Sequence, residues 1–175
     1  MALWVFGYGS LLWNPGFEID EEAVATLHGW HRSFCMSSIH HRGTEQDPGL
    51  VLALDMAENA ACHGVALRVK AGTEKAAMVE LRARELVSSA YLEKELDVTL
   101  ADGRQVSAVT YVIDRAHVQY CNHSLEKQAS IISRAVGGRG PNTEYLYNTA
   151  SHLSELGIED PELDWLSARV RQLTV

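Results

Sequence analysis

The fold is decided near the start of the chain, where residues 4–13 read WVFGYGSLLW. The first part is an unbroken apolar run of strand length, and it ends in the segment Gly-Tyr-Gly-Ser at residues 7–10. A short apolar run that stops at glycines is typical of a buried β-strand entering a tight turn. We therefore expect this strand to lie in the core and this turn to allow close approach by a ligand.

The glycines on either side of Tyr8 leave backbone N–H groups accessible, and such a turn suits a carboxylate or a developing oxyanion. Three better-known motifs do not fit. The dinucleotide motif GxGxxG lacks its third glycine, because Leu12 stands there. The phosphate loop lacks its Gly-Lys-Ser/Thr, and the nucleophile elbow GxSxG fails at Ser10. A purely structural turn has the same sequence, so the stretch alone leaves both interpretations open.

Strands dominate the first two thirds of the chain, and most helices come after them. Further strands are expected at residues 24–27, 33–36, 50–54 and 64–69, followed by a hairpin of residues 96–100 and 106–113 that turns at Asp102-Gly103. Helices are expected from Thr73 to about residue 88, from Ser124 to about 136, from Pro141 to Gly157, and from Asp160-Pro161 to about 173. This order indicates an α+β fold with an antiparallel or barrel-like sheet.

The composition is that of an ordinary globular protein. Of 175 residues, 46% are apolar and 22% are charged, which supports one hydrophobic core and excludes disorder and collagen-like repeats. The net charge is -8 and the pI about 5.4, and an acidic surface repels nucleic-acid phosphates and anionic membranes. No apolar run approaches the roughly 20 residues of a membrane span. We expect a single domain over residues 1–175, without a nucleic-acid or membrane partner.

The cysteines and histidines argue against a disulfide scaffold and against a metal site. Three cysteines without a CxxC spacing fit a reducing compartment, and the first residues lack the pattern of a signal peptide. A cytoplasmic location is therefore expected. The eight histidines match no known zinc spacing, and no local signature supports a Cys–His nucleophile. We expect neither a metal nor another cofactor. The cysteines are Cys35, Cys62 and Cys121, and the histidines that lie close to one another or to a cysteine in sequence are His28, His31, His40, His41 and His63.

A carboxylate stands out on the helix predicted from Thr73. With 3.6 residues per turn, Glu85 falls on the same side as Met78 and Leu81, in an apolar stripe. Burial of a carboxylate raises its pKa toward neutrality, which suits a group that accepts a proton and later returns it. A glutamate at a helix end that reaches solvent, or pairs with Arg82 or Arg84, has the same pattern.

Two basic loops are further candidates for holding an anion. Residues 39–43 place two histidines and Arg42 beside a glycine, and residues 137–142 place Arg139 in a Gly-rich turn ahead of a helix N-terminus. Each of these segments is also compatible with a plain solvated loop.

Six segments taken together resemble the ChaC-like, glutathione-specific γ-glutamylcyclotransferases. They occur in the family's order and lie within about residues 3–150. The first and the last are the most specific in combination. They are WVFGYGSLLW (4–13), GWHRSF (29–34), HRGT (41–44), PGLV (48–51), LRARE (81–85) and GPNTEYL (140–146).

The resemblance implies a γ-glutamylcyclotransferase fold, a small β-barrel with flanking helices. It implies a cytoplasmic lyase that converts glutathione, its small-molecule substrate, into 5-oxoproline and Cys-Gly, with Glu85 as the proton-transfer residue. Residues 86–91 depart from the pattern of animal members, so activity on other γ-glutamyl compounds is one alternative. A non-catalytic module that binds a γ-glutamyl metabolite is a separate one. The sequence does not fix the oligomeric state. The implied substrate-binding residues are Val5, Phe6, Gly7, Tyr8, Gly9, Ser10 and Leu11, with Arg42 and Tyr145 as further candidates.

Overall fold

A computed structural model describes residues 2–86 and 89–175. The chain divides into two compact units: the first comprises Met1–Ser33 and Ala53–His117, the second Phe34–Leu52 and Val118–Val175. The described strands are β1 (Trp4–Gly7), β2 (Ile19–Ser38), β3 (Gly49–Val69), β4 (Tyr91–Leu100), β5 (Gln105–Ile113), β6 (Val136–Gly137) and β7 (Gly140–Pro141). The described helices are α1 (Glu74–Glu85), α2 (Leu125–Arg134), α3 (Asn142–Glu155) and α4 (Pro161–Leu173), with a short 3-10 turn at Ser10–Leu12.

The five longer strands form a closed barrel in the order β1-β3-β2-β4-β5. The barrel closes because β1, the first strand of that order, pairs antiparallel with its neighbour β3 and also parallel with β5, the last strand. The predicted hairpin of β4 and β5 is present, with Thr99 opposite Gln105 and Gly103 at φ +95° in the turn. The expected α+β fold with a barrel-like sheet is confirmed.

Two pairs of predicted strands are in fact single long strands. Residues 24–27 and 33–36 belong to one strand, Ile19–Ser38, in which Gly29 takes φ +88°. A glycine adopts this conformation without a side-chain clash, so the strand continues through it. Residues 50–54 and 64–69 likewise belong to Gly49–Val69. Residues 55–63 between them continue the strand, and all of them except buried Cys62 lie at exposed or half-exposed positions.

In the first unit, helix α1, which ends at the candidate residue Glu85, packs on the barrel. Ala77 and Leu81 of this helix are buried together with Val5 and Tyr111, and Met78 packs against the same cluster. The predicted apolar stripe of α1 is therefore present. Its predicted cap is wrong: the Thr73 hydroxyl donates to the carbonyl of Lys70 at 2.7 Å instead of accepting from the helix. The helix ends at Glu85, and the predicted end at residue 88 lies outside the described residues.

The second unit is built mainly from α2, α3 and α4, which pack on one another. Two of the three helices begin as predicted. Ser124 Oγ accepts from the N–H of Lys127 at 3.2 Å, and Asp160 Oδ1 accepts from that of Leu163 at 3.1 Å. The third starts directly after Pro141 and stops before Gly157, at φ +74°. In the described residues no helix is long and apolar enough to span a membrane.

Candidate active site

The Gly-rich segment continues from β1 into the 3-10 turn, within the first unit. The N–H of Leu12 donates to the carbonyl of Gly9 at 2.9 Å, and the N–H of Asn14 donates to that of Ser10 at 2.8 Å. The N–H groups at the start of such a turn have no acceptor inside it. The arrangement therefore suits the N–H groups of Gly9 and Ser10 to receive an oxygen atom from a ligand.

Three contacts within the first unit fix this segment. Buried Arg32 donates to the carbonyl of Tyr8 at 3.2 Å and to that of His63 at 2.9 and 2.8 Å. The Tyr8 hydroxyl donates to the carbonyl of Tyr111 at 2.7 Å. Opposite β1, Gly64 lies so close that a Cβ there would stand 2.4 Å from the carbonyl oxygen of Gly7. The turn is consequently held by the barrel itself, as a preorganised oxygen-binding site requires.

Arg32 is a functional candidate that the sequence reasoning did not single out. It appeared only as part of the segment GWHRSF, and its two acceptors are backbone carbonyls 24 and 31 residues away in sequence. A buried arginine is unusual, since the charge needs partners. An arginine directly beside a predicted strand is therefore the only sign of this role in the sequence. It does not indicate which groups the arginine contacts.

Glu85 is the last residue of α1, and its side chain is 14% exposed. Its Oε1 atom lies 3.6 Å from Nε of Arg84. Arg84 in turn donates from Nη2 to the hydroxyl of Ser10 at 2.9 Å, and from Nη1 to the carbonyl of Asn14. Of the two pairings considered for Glu85, the one with Arg84 is present, whereas Arg82 bonds Glu93 instead. The structure thus brings Glu85 and the Ser10 turn together through one guanidinium group.

Tyr111 is a second group that sequence reasoning missed. Its hydroxyl donates to Oε1 of Glu93 at 2.8 Å, and Glu93 accepts two further hydrogen bonds from Arg82, both at 3.0 Å. Burial, followed by the bond to Glu93 and the negative charges of Glu93 and Glu85, raises the pKa of Tyr111 far above its usual value. The bond from Arg82, and then that from Tyr111, lowers the pKa of Glu93. Tyr111 is therefore a protonated phenol beside an ionised glutamate.

Arg42 and Tyr145 lie in the second unit and are brought together there. The Arg42 guanidinium is 5% exposed, pairs with Glu144 at 3.2 Å, donates to the carbonyl of Pro141 at 3.0 Å and stands 5.7 Å from the centre of the Tyr145 ring. The Tyr145 hydroxyl accepts from the N–H of Leu52 at 3.2 Å. These contacts give both side chains a structural role, and their part in substrate binding stays a prediction.

The two basic loops also meet within the second unit. The N–H of Gly138 donates to the carbonyl of His40 at 2.7 Å, and that of Arg139 donates to the carbonyl of His41 at 2.9 Å. The Arg139 side chain is exposed. Across residues 2–86 and 89–175, no three side chains of the metal-ligating types His, Cys, Asp and Glu converge.

Comparison with known proteins agrees with this architecture. The crystal structure of a γ-glutamyl cyclotransferase specific to glutathione from yeast superposes with a TM-score of 0.88 over 100% of both chains, at 21% identity. The fold is therefore that of the γ-glutamylcyclotransferases.

The family itself follows from the sequence comparisons. A family model described as ChaC-like protein matches residues 3–173, and the chain belongs to this family. It is 37% identical over 172 residues to a glutathione-specific γ-glutamylcyclotransferase of Escherichia coli, covering 98% of this chain and 74% of that protein. It is 32% identical to γ-glutamylcyclotransferase 2-3 of Arabidopsis thaliana, covering 99% and 90%.

Proposed function

We propose that this protein cleaves the γ-glutamyl bond of glutathione by cyclisation, which releases 5-oxoproline and Cys-Gly. Membership of the ChaC-like family and the similarity to the E. coli relative, over nearly the whole of this chain, support the reaction. The observation that supports the proposal is the link from Glu85 through Arg84 to Ser10, because it joins a largely buried carboxylate to the turn that we propose as the oxyanion site.

The substrate supplies its own nucleophile in this reaction. The free α-amine of the γ-glutamyl group can reach the γ-carbonyl carbon and close a five-membered ring. The enzyme has to fold the substrate into this shape, since correct positioning of two reacting groups removes much of the barrier. Neither a covalent enzyme intermediate nor a cofactor is needed.

Glu85 acts as general base and then as general acid. Its carboxylate accepts a proton from the substrate ammonium, and the amine then forms the new C–N bond to the γ-carbon. The negative charge on the γ-oxygen is stabilised by the N–H groups of the turn at Gly9 and Ser10. As the new bond forms, the attacking nitrogen loses its second proton to water; Glu85 returns its own proton to the amide nitrogen, the old C–N bond breaks, and Cys-Gly leaves with a neutral amine.

A second candidate is the same cyclisation on other γ-glutamyl amines or dipeptides. The Arabidopsis relative is named for the broader γ-glutamylcyclotransferase activity, which favours this second candidate. The sequence of residues 86–91, which differs from that of animal family members, also favours activity on other γ-glutamyl compounds. Residues 87 and 88 lie outside the described part of the chain. We place the reaction in the cytoplasm, which the reduced state of Cys35, Cys62 and Cys121 supports.

The purified protein, incubated with glutathione in a buffer containing EDTA, tests this function. Stoichiometric appearance of 5-oxoproline and Cys-Gly is expected, because neither the substrate nor the base needs a metal. No turnover of glutathione, γ-Glu-Cys or another γ-glutamyl dipeptide would leave the non-catalytic binding module as the alternative. Activity that appears only when zinc or manganese replaces EDTA would contradict the cofactor-free mechanism.

A further inference from the structure

Arg84 occupies an unusual place for an arginine in the last turn of a helix. Such residues commonly extend into solvent, where they interact with the helix dipole and the last carbonyls. The side chain of Arg82, two residues earlier, is 56% exposed, as is usual at this position of a helix. The side chain of Arg84 is only 15% exposed. Its guanidinium reaches from α1 to the segment that follows β1, where its two acceptors lie 70 and 74 residues away in sequence.

The guanidinium divides its donors among three different acceptors. Nη2 donates to the Ser10 hydroxyl at 2.9 Å, Nη1 donates to the carbonyl of Asn14, and Nε faces the Glu85 carboxylate at 3.6 Å. Arginine alone offers five N–H donors in a rigid planar fork, so one side chain can hold three groups in a fixed relation. A lysine at this position keeps the charge but has neither the planarity nor the spread of donors.

We propose that Arg84 is a positioning residue, which fixes the Glu85 carboxylate relative to the Ser10 turn. This inference rests on the proposed function for Glu85 and for the turn. Both ends of the link belong to the reaction: one moves the proton, and the other receives the oxyanion. Displacing reacting groups by about 1 Å costs roughly 100-fold in rate. Loosening this link is therefore expected to lower kcat more than it raises KM.

The test compares Arg84→Met and Arg84→Lys with Lys75→Met, which removes a positive charge from an exposed position on the same helix. Both Arg84 variants are expected to lose about 10- to 100-fold in kcat with KM within about threefold of the wild type. Lys75→Met should keep the wild-type kcat. Guanidinium chloride should restore kcat of a third variant, Arg84→Ala, several-fold, because the shorter side chain leaves room for the ion, and it should leave Glu85→Gln unchanged. A kcat of Arg84→Met within twofold of the wild type overturns the inference.

A second measurement needs no turnover. Backbone ¹⁵N relaxation should show lower order parameters at residues 10–14 in Arg84→Met, and unchanged values in the β4–β5 hairpin. Unchanged order parameters at residues 10–14 overturn the inference, because they leave a general effect on α1 as the explanation of any kinetic loss. If the wild type turns over no γ-glutamyl substrate, the proposed function fails, and the relaxation result still decides whether Arg84 positions this segment. Arg84→Lys serves for both measurements if Arg84→Met does not fold.

Discussion

The side-chain amide of Asn142 pairs with both backbone polar groups of Leu50. Its Oδ1 accepts from the N–H at 2.8 Å, and its Nδ2 donates to the carbonyl at 2.8 Å. Asn142 is fully buried at the start of α3 and takes the place of a neighbouring strand for this residue of β3. The segment GPNTEYL thereby links its helix to the strand that begins within the segment PGLV, so both segments have a structural role in the second unit.

Asn142→Asp preserves the shape of this side chain and removes its donor. The carbonyl of Leu50 would lose its partner and face a buried carboxylate, so we expect a loss of at least about 2 kcal/mol in the free energy of unfolding. Thermal denaturation should show a Tm lower by roughly 5 °C or more. Asn148→Asp, on the same helix but half-exposed, is the control and should change Tm by less than about 2 °C.

The adjacent glycines 137 and 138 should respond very differently to alanine. A Cβ at Gly137 would stand 2.4 Å from the backbone N of Gly43 and 2.5 Å from that of Arg42. Because backbone atoms cannot move aside cheaply, we expect Gly137→Ala to cost about 1–3 kcal/mol of stability. At Gly138 the nearest atom is the His40 carbonyl oxygen at 3.2 Å, and this variant should stay within about 0.5 kcal/mol of the wild type. Equal denaturant midpoints for the two variants would contradict this packing.

Local sequence rules predicted the elements whose geometry is decided by near neighbours. The start of α2 at Ser124 and the turn at Gly103 each depend on contacts within a few residues, and both were predicted correctly. The contacts of Arg32 and Arg84 join residues 24 to 74 positions apart, so no local pattern contains them. The position of Glu85 on the apolar face of α1 was predictable from periodicity, whereas its pairing with Arg84 rather than Arg82 depends on how α1 lies on the barrel.

The Glu93 carboxylate should make the stability of the first unit depend on acid pH. Its pKa in the folded protein lies below the ordinary value of 4.5, owing first to Arg82 and then to Tyr111. A carboxyl group with a lowered folded-state pKa stabilises the fold above its unfolded pKa, and this stabilisation is lost as the pH falls through the folded value. We expect Glu93→Gln to be less stable than the wild type at pH 7, by about 1 kcal/mol or less.

The difference in unfolding free energy between Glu93→Gln and the wild type should shrink between about pH 5 and pH 3. Urea titrations at several pH values measure it. Arg82→Met removes the main cause of the lowered pKa, so introducing Glu93→Gln into that background should give a smaller and less pH-dependent difference. A difference that stays constant down to pH 3 in the wild-type background would show that the ionised bond network does not stabilise the fold.

Glu85→Gln tests the proposed proton-transfer residue. The amide has nearly the same shape but cannot accept the ammonium proton, so we expect turnover to fall by at least about 100-fold. The melting temperature and the binding of glutathione should remain close to those of the wild type. Matched measurements on Glu80→Gln, an exposed glutamate of the same helix, control for the loss of a negative charge. Activity of Glu85→Gln within a few-fold of the wild type would remove Glu85 from the mechanism.

The requirement for an internal nucleophile gives the sharpest prediction about substrates. N-acetylated glutathione should be inert at any concentration, since an amide nitrogen is too weak a nucleophile to close the ring. The α-linked peptide Glu-Cys-Gly should also be inert, because it has no γ-amide for its amine to attack. Release of Cys-Gly, followed by mass spectrometry, measures both. Cleavage of either compound would indicate hydrolysis by water and exclude cyclisation as the sole reaction.

Comparison of glutathione with γ-Glu-Cys separates a glutathione-specific enzyme from a general γ-glutamyl cyclotransferase. The two substrates share the reacting groups and differ in the glycine residue with its carboxylate. A charge-assisted hydrogen bond to that carboxylate contributes roughly 1.5–3 kcal/mol, which corresponds to a preference of about 10- to 150-fold in kcat/KM. We expect this preference for glutathione. Equal kcat/KM values would mean that the site makes no such contact, because an enzyme can discriminate only by interactions that one substrate makes and the other lacks.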